Sequence, residues 1–154
     1  MLISFCNLGM SPLANSFLDK SQLQIKEPFY PLHVYICEKC LLVQLEEHES
    51  PKNIFNNYAY FSSYSKTWLK HCKEYSNQVV SRLNLDCNKQ IIEIASNDGY
   101  LLKNFKEKNF HVLGIEPADN VARVAESLGI PTVKSFFNSS LALELAKSNK
   151  QADL

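Results

Sequence analysis

The chain is short of several things, and each shortage excludes something. It carries no net charge, with 16 basic and 16 acidic side chains among 154 residues. Without a basic surplus there is no electrostatic case for a nucleic-acid or anionic-lipid partner. No apolar run approaches the roughly 20 residues of a membrane span. The N-terminal stretch is mildly apolar, but no basic segment precedes it and its first charge is Asp19. Neither a signal peptide nor a membrane segment is expected, which makes the chain cytoplasmic. Five cysteines in such a setting argue against a disulfide framework. Only Cys37 and Cys40 have ligand spacing, and no second Cys pair exists. Cys6, Cys72 and Cys87 are isolated and read as buried free thiols. Glycine is scarce too, with four residues in all. What is present is 45% hydrophobic, enough for one domain or two small ones and too much for a disordered chain.

The pattern divides the chain in three. Residues 1–57 lack helical periodicity and hold four of the six prolines. Tyr30 to Ile36 and Leu41 to Leu45 read as short strands around the Cys37-Glu38-Lys39-Cys40 turn. Too few core residues are available to stabilise this stretch, so it reads as a small metal-stapled module. Residues 58–86 join an aromatic, Ser-rich linker to an amphipathic helix. In that helix Trp68, Leu69, Cys72, Tyr75, Val79, Val80 and Leu83 recur at three- and four-residue steps, with His71 on the solvated side. Residues 87–154 alternate strand and helix. Strands are expected at Ile91 to Ala95, His111 to Ile115 and from Pro131, and helices over 100–108, up to Leu128, and 140–148. Asp119 or Asn120 is the expected cap of the second helix, and Gly129 follows its end. Gln151 to Leu154 resembles the start of a fourth strand. The fold class is therefore α/β, a parallel-sheet unit behind a β/loop module.

Three constellations point to chemistry. A parallel strand that feeds a helix through a tight polar turn places backbone N–H groups in a crevice at the strand's carboxyl end, where open α/β sheets bind ligands. That turn is Ala95-Ser96-Asn97-Asp98-Gly99, and Glu116 ends the next strand 17 residues later. A carboxylate there is placed to accept both hydroxyls of a ribose. A dinucleotide needs glycines that let the backbone approach a pyrophosphate, whereas this turn has one glycine and the phosphate-repelling Asp98. A cofactor with an adenosine ribose, no phosphate and a cationic end fits better, and S-adenosylmethionine is such a cofactor. Glu93 and Asp98 favour its sulfonium and ammonium groups. An ordinary βαβ turn that binds nothing stays open as the plain alternative.

Cys37 and Cys40 supply half of a tetrahedral structural zinc site. Cys6, His33 and His48 are the remaining candidates for its other ligands, though no spacing recommends them. The segment Asn57 to Ser65 gathers four aromatics and three hydroxyls in nine residues. It reads equally as a ring-packing linker or as a lid offering hydroxyls to a polar ligand.

In order along the chain, the stretches Leu8 to Phe17, Tyr30-Pro31-Leu32, Cys37-Glu38-Lys39-Cys40, Leu42-Val43-Gln44-Leu45, Tyr58 to Ser65, Glu93 to Leu102 and Gly114-Ile115-Glu116-Pro117 resemble the sugar C-methyltransferases that act on nucleotide-activated keto-deoxysugars. The resemblance implies an N-terminal zinc module, a class I S-adenosylmethionine domain of which residues 87–154 are the first half of a Rossmann-like sheet, and a further C-terminal domain. It makes Cys37 and Cys40 zinc ligands, and Glu93, Ala95, Asn97, Asp98, Gly99, Glu116 and Pro117 cofactor-binding residues. Tyr60, Ser62 and Ser63 lie beside cofactor and substrate, with Tyr60 the catalytic candidate. Ala95 stands where the family usually has glycine. The family's other Cys pair precedes the Leu-Gly-x-x-Pro-Leu-Ala-Asn motif, and its general base follows the region matched here. The expectation is thus the front part of a longer enzyme, completed by a downstream segment and using a nucleotide-sugar substrate. Another small-molecule methyltransferase and a non-catalytic zinc or nucleotide-binding module are the competing readings.

Overall fold

The computed structural model describes residues 1–55 and 58–154. The chain forms two units, Met1–Phe55 and Asn56–Leu154. Asn56 and Asn57, where the sequence suggests a boundary, lie outside the described residues.

The first unit is one antiparallel sheet in the order β1 (Leu2–Ser11), β2 (Tyr30–Cys37), β3 (Val43–Leu45). Leu2 pairs with Cys37 and Ser11 with Tyr30, across irregularities after Ser4 and after Asn7. Gly9 sits at the second irregularity with φ +79°, a conformation that costs glycine little. The β2–β3 turn is closed by Leu41 N–H on Cys37 O and Cys37 N–H on Leu42 O, both at 2.9 Å. A five-residue helix, α1 (Pro51–Phe55), ends the unit. Neither β1 nor α1 is expected from the hydrophobic pattern. No side chain in residues 1–55 is fully buried, and Phe5, Leu8, Met10 and Phe17 are largely exposed.

The second unit is a three-layer α/β arrangement. A single 3₁₀ turn, Ser62–Tyr64, leads into α2 (Lys66–Leu83), whose cap Ser65 accepts the Trp68 N–H at 3.2 Å. Then come β4 (Gln90–Ile94), α3 (Leu102–Lys106), β5 (His111–Ile115), α4 (Asp119–Ser127), β6 (Thr132–Val133) and α5 (Ser139–Lys147). The three strands are parallel in the order β4-β5-β6, with Ile91 opposite Val112 and Ile92 opposite Leu113. Side chains alternate faces along a strand, so these pairs face opposite ways. Ile91 and Val112 join Leu102, Phe105, Phe110, Ala125 and Ile130 in one core. Ile92, Leu113 and Ile115 join Leu141 and Leu145 of α5 in the other. Both faces are covered, which is why these strands read as unbroken apolar runs. Along the free side of β4, Asp153 N–H reaches Gln90 O at 2.8 Å and Ile92 N–H reaches Leu154 O at 2.9 Å.

Several expectations need correction. The helix after β4 starts at Leu102, because Tyr100 and Leu101 remain in the turn. Ala118, and neither Asp119 nor Asn120, holds the cap position of α4. Asp119 instead pairs with Arg123 at 2.6 Å and Lys134 at 3.1 Å. On α2, Cys72 and Ser76 are the buried residues, while Trp68, Tyr75 and Leu83 are exposed. Ser76 tolerates burial because Lys108 donates to its Oγ at 2.7 Å and it donates to Lys73 O. Trp68 stacks on the exposed His71, with ring centroids 5.2 Å apart. Of the three isolated thiols only Cys72 is buried; Cys6 is half-buried and Cys87 exposed.

Candidate functional site

The turn between β4 and α3 carries three left-handed residues, Ala95 (φ +58°), Asn97 (φ +50°) and Gly99 (φ +78°). Left-handed backbone is uncommon outside glycine and costs about 1 kcal/mol or more per residue. Ala95 thus holds a backbone conformation that favours glycine. Ser96, Asn97, Asp98 and Gly99 are all buried. Glu116, at the carboxyl end of β5, is only 6% exposed. Its Oε2 accepts the Asn97 N–H and its Oε1 the Ala118 N–H, both at 2.9 Å. The carboxylate thus ties the two strand-end turns together, and each oxygen keeps a lone pair for a further donor. Pro117 follows, half-buried.

The aromatic segment lies against this turn. Ser62 N–H donates to Asn97 Oδ1 at 3.0 Å, and Asn97 Nδ2 donates to Tyr60 O at 3.1 Å. Ser63 donates to Asp98 Oδ2 through its backbone N–H, at 3.2 Å, and through its hydroxyl. Tyr60, Ser62, Ser63, Asn97, Asp98 and Glu116 are therefore one connected group. Gly99 looks elsewhere, since a Cβ on it would meet Ile130 Cδ1 and Ala125 Cβ of the core.

Carboxyl groups are concentrated here, and burial works against ionising all of them. Burial pushes the Glu93 carboxyl up to about 8, helped by the charges of Asp98 and Glu116 and opposed by hydrogen bonds from the Tyr100 hydroxyl and Leu102 N–H. Burial and the Glu93 charge push the Tyr100 phenol up to about 12. Glu93 Oε2, Ser96 Oγ and Asp98 Oδ1 are buried with no hydrogen-bond partner among the described residues. Unpaired buried acceptors among carboxylates suit a cationic ligand and repel phosphate. These residues fit the ammonium or sulfonium end of the expected cofactor. Sequence reasoning missed Tyr100 and Ser96, and assigned Asn120 to a cap. Asn120 in fact exchanges two hydrogen bonds with the Tyr58 backbone.

In the first unit, Cys37 and Cys40 flank the β2–β3 turn. Hydrogen bonds from the Cys40 and Lys39 N–H groups and from the Cys40 thiol hold the Cys37 thiol below its usual value, which favours the thiolate that binds metal. The other candidates do not join them. His33 is engaged through Nε2 with Ser4 Oγ at 2.8 Å and through Nδ1 with Tyr35 OH at 2.9 Å. His48 stacks on Tyr30, and Cys6 pairs with Val34 along the sheet. Among the described residues no group of three or more metal-binding side chains forms. The cysteines fit zinc as two of four ligands, so cobalt(II) added as a zinc substitute should show thiolate charge-transfer absorption that Cys40→Ser abolishes. Equal absorption in wild type and C40S would remove Cys40 from the site.

Residues 1–55 match the family described as "Putative zinc binding domain", the same stretch as the first structural unit. That match speaks for the first unit alone, and a second similarity runs through both units. Over 148 residues, 96% of its length, the chain is 29% identical to C-methyltransferase NovU of Streptomyces niveus. It spans 35% of that protein. Among the described residues no helix is long and apolar enough to cross a membrane.

Proposed function

We propose that the chain carries the S-adenosylmethionine platform of a C-methyltransferase whose acceptor is a nucleotide-activated keto-deoxysugar. The observation that carries this reading is the buried carboxylate group at the ends of β4 and β5. Glu116 would accept the ribose hydroxyls on its remaining lone pairs, while Asp98 would offset the cationic end and Glu93, whose carboxyl is pushed up to about 8, would offer it the unpaired Oε2. The turn 95–99 supplies close backbone approach within a Rossmann-like sheet, and Pro117 shapes the ribose side. Tyr60, Ser62 and Ser63, bonded to Asn97 and Asp98 of that turn, would stand between cofactor and acceptor, with Tyr60 also the candidate to touch the reacting sugar. The cofactor supplies an electrophilic methyl group. Transfer to carbon would also need a base to take the proton beside the sugar ketone. Positioning the two reactants in line is the larger part of such catalysis. The base is expected from a segment beyond the residues gathered here, joined covalently or as a second chain. Zinc on Cys37 and Cys40 has a structural role, and the work is done in the cytoplasm.

Titration calorimetry with S-adenosylmethionine and with NAD tests the reading, and only the former should bind. Glu116→Ala should weaken that binding by roughly 1–3 kcal/mol, about tenfold or more, since ribose hydroxyls lose their acceptor. Asp119→Ala should change it little, because Asp119 faces Arg123 and Lys134. Equal, small effects would put the ribose elsewhere.

A further inference from the structure

Tyr58–Ser63 lies outside the sheet of its unit, yet much of its backbone is paired by side chains. Asn120 Oδ1 accepts the Tyr58 N–H at 3.0 Å, and Asn120 Nδ2 donates to Tyr58 O at 2.7 Å. Two residues further on, Asn97 makes the same two-way contact with Tyr60 O and Ser62 N–H. A carboxamide holds donor and acceptor side by side in one plane, so each asparagine serves the strap as a neighbouring strand's backbone would. The two pins stand on different turns, Asn97 after β4 and Asn120 in the first turn of α4. Glu116 joins the same two places through Asn97 N–H and Ala118 N–H. Strap, Asn97, Glu116 and Asn120 thus close a ring of hydrogen bonds, with the Tyr60 carbonyl on the Asn97 pin, two residues from the Asn120 pin, and the residue 48% exposed. An asparagine at a helix start ordinarily caps its own helix; this one is spent on a segment 62 residues away.

We infer that Asn120 is a positioning residue of the cofactor site: by pinning Tyr58 it sets where Tyr60 stands in the ring that Glu116 closes, and so tunes affinity for a ligand it does not touch. This rests on the cofactor reading above and adds a residue to it.

The test combines S-adenosylmethionine calorimetry on wild type, N120A, N120D, Y60A and N120A/Y60A with amide exchange at Tyr58. N120A should weaken binding about tenfold, the worth of one or two ordinary hydrogen bonds. N120D, nearly isosteric, keeps the acceptor but sets a charge against Tyr58 O, and should do no better. In the Y60A background the N120A effect should shrink to under about twofold, because there is no ring left to place. Tyr58 exchange should quicken in N120A while the Ile91 and Leu113 amides of the core are unchanged. Additive losses in the double variant, or unchanged exchange at Tyr58, overturn the inference and leave the cofactor reading intact. A wild-type chain that binds no S-adenosylmethionine overturns both, even if Tyr58 exchange still reveals the pin. Should N120A fail to fold, N120D alone decides, with the same outcomes.

Discussion

Glu93→Gln is expected to stabilise the second unit at neutral and alkaline pH, and to do so by an amount that grows as pH rises. In the folded chain the Glu93 carboxyl is pushed from an ordinary 4.5 up to about 8. The unfolded chain therefore releases this proton at much lower pH than the folded chain does. Below about pH 4.5 both states hold it and Glu93 has no effect. Between about 4.5 and 8 the unfolded state binds fewer protons, so wild-type stability falls with each step up in pH. Above about 8 both states are ionised and the deficit levels off. A displacement of this size corresponds to something on the order of 4 kcal/mol. Glutamine keeps the acceptor for Tyr100 and Leu102 and removes the titration. Thermal melts from pH 4 to 9 should show a declining Tm in wild type and a flatter profile in E93Q. Parallel profiles would mean that Glu93 is not buried among Asp98 and Glu116 as described.

Gly99→Ala should be severely destabilising despite adding one methyl. The residue sits at φ +78°, and its new Cβ would lie 2.5 Å from Ile130 Cδ1 and 3.2 Å from Ala125 Cβ. Ile130 and Ala125 are both fully buried, so neither can give way into solvent. Left-handed strain of about 1–2 kcal/mol and overpacking of about 1–3 kcal/mol act together. A Tm drop of at least about 10 °C is expected for a unit of this size. A drop under about 3 °C would show that the contact of the 95–99 turn with Ala125 and Ile130 relaxes freely. The glycine the sequence marks as a cofactor residue is here a packing requirement of the core beneath the turn.

The parts of the fold that could be read in advance are those with local causes. Ile91 to Ile94 and His111 to Ile115 are apolar runs because the sheet is covered on both faces, and the turns between strand and helix are marked by Asn, Asp and Gly. Glu116 could be located by spacing alone. That its oxygens hold Asn97 and Ala118 N–H groups could not, since orientation is a tertiary fact. Asn120 escaped for the same reason: its partner lies far away in sequence, and locally it has only the composition of a cap. Ser76 is buried through Lys108, a contact no periodicity encodes, so the stripe on α2 was read too wide. β1 escaped because two irregularities break its alternation and none of its side chains is fully buried.

That unburied sheet has a thermodynamic consequence. Residues 1–55 place no side chain in a closed core, whereas the second unit has two apolar cores of its own. A sheet with so little apolar burial draws little stability from its own core, so binding weighs heavily in its folding. The first unit's persistence is then set by mass action, through whatever concentration of metal or other binder it meets.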